Sequence, residues 1–90
     1  MDLLYDIRSP ADEDAATELA VLYQLLTLHP VQVTRDELLR EMVGETEDFG
    51  RRDAVSRAVR DLVGAGLVHL NGNVVFASRA AFRFNELLSG

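Results

Sequence analysis

Apolar side chains recur every three or four positions between residues 10 and 28, which is the spacing of one helical face. Ser9 is a favourable N-cap, Pro10 suits the first helical position, and acidic residues follow in the first turn. The run ends at His29-Pro30, because the residue before a proline avoids helical backbone. The three residues 31–33 alternate between apolar and polar, and they predict a short strand after this first helix.

Two more helices are predicted in the middle of the chain. Thr34 and Glu37 have the spacing of a capping box, and the helix that they open ends at Gly44. An acidic connection over residues 45–50 leads to a third helix over residues 51–65. At 100° per residue the apolar side chains of this helix gather on one side and the polar ones on the other.

A hairpin and a last helix complete the pattern. Two apolar runs, residues 67–70 and 73–77, flank Asn71-Gly72. Asn-Gly between apolar runs is the strongest short signal for a hairpin, and it predicts a type I′ turn. Ser78 then caps a helix that runs to residue 88.

This order of elements predicts one domain over residues 1–90, in the α+β class and mostly helical. The segment Leu62-Val63-Gly64-Ala65-Gly66-Leu67-Val68 resembles the end of the recognition helix and the first wing strand of the winged helix-turn-helix superfamily. The stretch from residue 34 to residue 88 is similar to that superfamily in architecture. The resemblance implies DNA binding, with residues 54–60 as the recognition helix and Asn71-Gly72 at the tip of the wing.

Charge is unevenly distributed along the chain. The net charge is −6, and an acidic surface repels phosphate. Residues 1–50 hold twelve acids against three arginines, whereas residues 51–90 hold six arginines against three acids. The half that the resemblance assigns to DNA contact is therefore the basic half, although the wing tip carries no Lys or Arg.

The candidate DNA-contacting residues lie on the outer face of the third helix and at the hairpin turn. They are Arg51, Arg52, Ser56, Arg57, Arg60, Asn71 and Gly72. Arginine can bridge the O6 and N7 acceptors of guanine in the major groove. The same face has a second interpretation, because Asp53 and Asp61 stand four residues from Arg57 and could pair with it. The face would then meet solvent or another protein.

The terminal elements carry more apolar residues than one small core uses. On the first helix these residues span about 200° of arc, and a one-sided surface helix needs about half of that. On the last helix Phe82 lies nearly opposite Phe84, so the two rings cannot face one core. Because large exposed apolar patches are rare on soluble monomers, we expect a homodimer, to which the apolar segment 1–8 contributes. The predicted interface residues are Leu3, Leu4, Tyr5, Val21, Leu25, Leu28 and Phe82.

The sequence contains no clear motif for catalysis, metal binding or cofactor binding. Cysteine is absent, and His29 and His69 have no second ligand at metal spacing. We find no nucleophile motif and no phosphate-binding loop, so we expect neither an enzyme nor a cofactor. The chain also shows no basic leader and no apolar run long enough to span a membrane, and we expect a cytoplasmic protein.

Three functions follow from these observations. The leading one is a small dimeric winged-helix protein that binds double-stranded DNA and regulates transcription. The alternative is an acidic winged-helix module that binds another protein and no DNA. A ligand-sensing or catalytic domain is third, because no cluster of reactive residues supports it. A continuous basic face across the third helix and the wing would favour DNA binding.

Overall fold

The computed structural model describes residues 10–44 and 48–89, which form four helices and three strands. Their bounds are α1 Pro10–Leu28, β1 Val33–Thr34, α2 Arg35–Val43, α3 Phe49–Gly64, β2 Val68–Asn71, β3 Val74–Ala77 and α4 Arg79–Ser89. The order of elements and the α+β, mostly helical class are confirmed. The predicted N-terminal segment, 1–8, and most of the acidic connection, 45–47, lie outside the described residues.

The start of α2 is fixed by the predicted capping box. The Glu37 backbone N–H donates to the Thr34 hydroxyl at 3.1 Å, and the Thr34 backbone N–H donates to the Glu37 carboxylate at 2.9 Å. The Thr34 backbone bond, the Thr34 hydroxyl bond and the nearby Arg40 charge together hold the pKa of Glu37 below its usual range. At the other end, the N–H of Gly44 donates to the Arg40 carbonyl at 2.8 Å.

Side-chain caps also start α3 and α4. The Asp48 carboxylate accepts the backbone N–H of Arg51 at 3.0 Å, so α3 begins at Phe49 rather than at the predicted Arg51. The Ser78 hydroxyl accepts the backbone N–H of Ala81 at 3.3 Å, which confirms the predicted cap of α4. The acid at the end of the connection is thus part of the helix start.

The three strands form one antiparallel sheet in the order β1-β3-β2. The first strand is displaced from its predicted position, because the N–H of Val31 donates to the Leu28 carbonyl at 2.8 Å and closes a turn there. β1 consequently pairs Val33 with Val75. The backbone N–H of Arg35 donates to the Asn73 carbonyl at 2.7 Å, so the start of α2 is attached to the hairpin turn.

The hairpin turn lies one residue later than predicted. Asn71 pairs with Val74, so the two central residues of the turn are Gly72 and Asn73. Gly72 has φ of +61°, and no residue other than glycine among the described ones has a positive φ. A positive φ at the first central position alone is the pattern of a type II′ turn, whereas the predicted type I′ turn needs it at both.

The core lies between α1, α3 and the sheet, and α2 and α4 each add buried side chains to it. Its side chains are almost all aliphatic, and burying each large one contributes about 1.5–3 kcal/mol. The buried apolar residues are Val21, Leu25, Val33, Leu38, Leu39, Val55, Ala58, Val59, Leu62, Val68, Val75, Ala77 and Ala81. On α3 the buried arc is narrower than the predicted one, because Val63 is 37% exposed. No helix within the described ranges is both long enough and apolar enough to cross a bilayer.

Candidate nucleic-acid interface

The outer surface of α3 is divided between two neighbours. One side of the helix faces α1, and the other faces the start of α2 and strand β2. The arginines predicted to act together are therefore distributed over two different grooves. An arginine on the α1 side lies beside acidic residues of α1, whereas an arginine on the other side does not.

The groove on the α1 side mixes acids with arginines. Arg51 and Arg57 of α3 line it together with Glu13 and Asp14 of α1. The Arg57 guanidinium lies 3.5 Å from the Asp14 carboxylate, and both side chains are about half exposed. The sequence suggested Asp53 or Asp61 of the same helix as the partner of Arg57. The ion pair instead joins two helices, because the turn of α1 that carries Asp14 lies beside α3.

The groove on the opposite side is basic and apolar. Val59 and Val63 of α3 and Leu70 of β2 form its apolar part. Arg35, Ser56 and Arg60 complete the lining, and the residues described there include no acid. The groove has a volume of about 250 Å³ and is open to solvent. We call it the Arg35–Arg60 groove.

Arg52 extends this surface along α3. Arg52, Ser56 and Arg60 are spaced four residues apart, so their side chains follow one another along one strip of the helix. Arg52 and Arg60 are exposed and Ser56 is half-buried between them. The Arg60 Nε lies 4.0 Å from the Asp61 carboxylate, but its side chain remains 74% exposed. Such an exposed contact holds Arg60 weakly.

The end of the hairpin supplies polar groups and no cation. Asn71 and Gly72, the predicted wing tip, are exposed. The His69 ring lies against Phe76, with the ring centroids 5.4 Å apart. Leu70, which is 45% exposed, is the hairpin side chain that reaches the Arg35–Arg60 groove. The predicted set of seven residues is thus brought together only in part, around Ser56 and Arg60.

The structure buries two of the predicted interface side chains and leaves two others only partly exposed. Val21 and Leu25 belong to the core and are at most 4% exposed, so the prediction that they are available to a partner is wrong. Leu28 and Phe82 are half-buried and pack against that core. The Phe82 ring meets the ring of His29 edge to face at 4.4 Å. The other three, Leu3, Leu4 and Tyr5, lie outside the described residues.

Sequence reasoning missed two sets of residues. Arg35 was treated as part of a helix start, and only the fold brings it beside Ser56 and Arg60. The exposed apolar residues of the two terminal helices are also different from those predicted. They are Leu19, Tyr23, Phe84, Leu87 and Leu88, each at least 59% exposed. Their helical spacing was visible in the sequence, but the direction of the core was not.

No cluster suited to metal binding appears in the described part of the chain. Residues 10–44 and 48–89 contain no group of three His, Cys, Asp or Glu side chains placed to hold a metal ion. The two histidine rings pack against aromatic neighbours.

Comparison of the chain with protein-family models, with curated proteins and with solved structures finds no significant match.

Proposed function

We propose that the chain is a winged helix-turn-helix domain that binds duplex DNA through Arg52, Ser56 and Arg60 of α3 and Arg35 of α2. The observation that carries this proposal is the Arg35–Arg60 groove, whose described lining has two arginines and a hydroxyl but no acid. The sheet order β1-β3-β2 and the position of the β2–β3 hairpin beside α3 support the proposal, because a winged helix has a hairpin next to its recognition helix.

The chemistry of these side chains suits nucleic acid. Arginine binds phosphate oxygens with two parallel N–H groups, or the O6 and N7 atoms of guanine in the major groove. The Ser56 hydroxyl can donate to a phosphate or a base edge. Arg35 begins α2, so it adds its charge at a helix N-terminus, where the backbone also favours an anion.

The positions of the candidate residues change how much each is expected to contribute to DNA binding. Arg57 and Arg51 lie beside the acids of α1, so they contribute less to this surface than Arg52 and Arg60. The net charge of −6 opposes the approach of DNA from a distance. Binding should therefore depend on short-range contacts and be weak on unrelated sequences.

The test is a titration of labelled duplexes, both random and genomic, followed by fluorescence anisotropy at ionic strengths from about 50 to 200 mM. If Arg60 reads a base edge, Arg60→Ala costs about 1–3 kcal/mol on the preferred sequence. If it binds phosphate, affinity falls on all sequences and the salt slope drops by about one unit. Arg35→Ala should behave in the second way.

The matched control is Arg40→Ala, which removes the same charge from an exposed position of α2 outside the groove. It should change the affinity less than either groove variant. Equal losses in all three variants would mean that only total charge matters. Absence of binding to any duplex at about 50 mM salt, where phosphate contacts are least screened, would end the DNA proposal.

A second function is favoured by the apolar part of the same groove. Leu70 and Val63 are exposed beside the two arginines, and the hairpin has no Lys or Arg to follow a DNA backbone. An acidic protein segment with aliphatic side chains would match this surface. Under this alternative Leu70→Ala and Arg60→Ala both weaken a protein complex, and neither the wild type nor the variants bind DNA at physiological ionic strength.

A further inference from the structure

One strip of α3 combines polar side chains with an apolar one at its end. At about 100° per residue, four positions of the helix fall within about 80° of its circumference. They are Arg52, Ser56, Arg60 and Val63. The last three line the Arg35–Arg60 groove, whereas Arg57 lies on the side that faces α1. A ligand that follows the strip meets polar groups first and then Val63.

Val63 is an apolar side chain that the core does not enclose. It is 37% exposed, whereas Val59, one turn earlier on the same helix, is 2% exposed. Leu70 borders the groove from the hairpin and is 45% exposed. Burying the exposed part of Val63 is favourable only if the ligand offers an apolar group there. The apolar groups of the ligand therefore decide what Val63 can recognise.

Duplex DNA offers such a group in its major groove. The edges of the base pairs present hydrogen-bond donors and acceptors there, together with the C5 methyl group of thymine. Apolar side chains of DNA-binding proteins contact this methyl group. Duplex RNA differs, because its major groove is too deep and narrow for side chains to read.

The spacing of Arg60 and Val63 relates the thymine to a second base. The two residues are three positions apart, which corresponds to about 4.5 Å along α3. Neighbouring base pairs of B-DNA are about 3.4 Å apart along one strand. Arg60 suits the O6 and N7 acceptors of guanine. A thymine at Val63 would thus lie one or two base pairs from a guanine at Arg60.

We propose that Val63 reads the methyl group of a thymine that lies one or two base pairs from the guanine contacted by Arg60. This inference rests on the DNA-binding function proposed above and adds a base preference to it. Val63 is then a specificity-determining residue, and Arg60 is the base-reading arginine of the groove.

The first test compares thymine with uracil in duplexes that the wild type selects from a random pool. Replacing each thymidine in turn by 2′-deoxyuridine removes only the methyl group. Anisotropy titration should show an affinity loss of about fourfold at one position, the effect expected for one buried methyl group. Val63→Ala should bind the thymine and uracil duplexes equally well.

Leu70→Ala is the matched control, because it removes apolar surface from the hairpin side of the same groove. It should keep the preference for thymine at that position. Both positions are partly exposed, so both variants should fold, which circular dichroism checks. An RNA duplex of the same sequence should bind more weakly than the DNA.

The second test locates the guanine. Replacing each guanine in turn by 7-deazaguanine removes the N7 acceptor that an arginine would contact. The guanine whose replacement weakens binding should lie within two base pairs of the sensitive thymine. In Arg60→Ala the same replacement should have no effect.

The outcomes separate this inference from the proposed function. Absence of binding to every duplex at about 50 mM salt would overturn both. Binding that no uracil replacement weakens would leave DNA binding in place and overturn the thymine contact. Loss of the thymine preference in Leu70→Ala, but not in Val63→Ala, would assign the methyl group to the hairpin instead. A sensitive guanine farther than two base pairs away would overturn the pairing of Val63 with Arg60.

Discussion

At the scale of single residues, Gly72 shows how one backbone angle sets a turn. Its φ of +61° is open to glycine at no steric cost and is unfavourable for a β-branched residue. The turn that it forms has Asn73 as its second central residue, and the carbonyl of Asn73 accepts the backbone N–H of Arg35. A change at Gly72 therefore affects both the hairpin and the start of α2.

We expect Gly72→Val to destabilise the domain by about 1 kcal/mol or more, because valine is strained at this φ. The control is Gly64→Ala, since Gly64 ends α3, has no positive φ and has open space where a Cβ would be. It should be neutral or stabilising by about 0.5 kcal/mol. Urea unfolding followed by circular dichroism measures both. Equal effects of the two variants would show that the positive φ of Gly72 does not matter.

At the scale of elements, α4 places two aromatic residues in different environments, and the sequence did not show which of them is the more buried. Phe82 is half-buried against the core and against the ring of His29, whereas Phe84, two residues along, is 59% exposed. The expectation that Phe82 and Phe84 do not both face one core is confirmed. The choice of Phe82 as the outward ring is wrong, because Phe82 packs against the core and the ring of His29, next to the buried Ala81.

This arrangement predicts unequal effects of two similar substitutions. Phe82→Ala should cost about 2 kcal/mol, less than a fully buried phenylalanine, because it removes a half-buried ring from the edge of the core. Phe84→Ala should stay within about 0.5 kcal/mol in dilute protein, where association does not contribute. Thermal unfolding at low concentration compares them. A larger loss from Phe84→Ala would contradict the observed orientation of α4.

At the scale of the whole molecule, the acids of α1 lie beside the arginines of α3. The Arg57–Asp14 pair joins a charge of one helix to a charge of the other, and it is half exposed. An exposed pair of this kind contributes at most about 1 kcal/mol to stability. Its larger effect is on the electrostatic field of α3, because Asp14 cancels a charge that DNA would otherwise meet.

Asp14→Asn should therefore strengthen DNA binding, most clearly at about 50 mM salt, where charges are least screened. It should change the free energy of unfolding by no more than about 1 kcal/mol. Anisotropy titration measures the first and urea unfolding the second. Glu86→Gln on α4 removes one acid at a distance and serves as the control. Identical gains in both variants would assign the effect to net charge alone.

Much of the fold follows from local signals in the sequence. The capping box of Thr34 and Glu37, the Ser78 cap and the end of α1 before His29-Pro30 all depend on neighbours within a few residues. The one-residue error in the hairpin turn has a different cause. Register depends on which strand residues pair, and the short strand β1 and the start of α2 contribute to that pairing from a distance.

The sequence by itself determined the order of the elements, the apolar character of both terminal helices and the basic character of α3. Only the tertiary structure decided which side of each helix faces inward. It placed Val21 and Leu25 in the core and left Leu19 and Tyr23 outside, although all four share one apolar helix. It also placed Arg57 beside Asp14 of α1, and it placed Arg35 and Arg60 in one groove. Periodicity gives the width of an apolar arc, and packing against other elements selects the part of that arc that is buried.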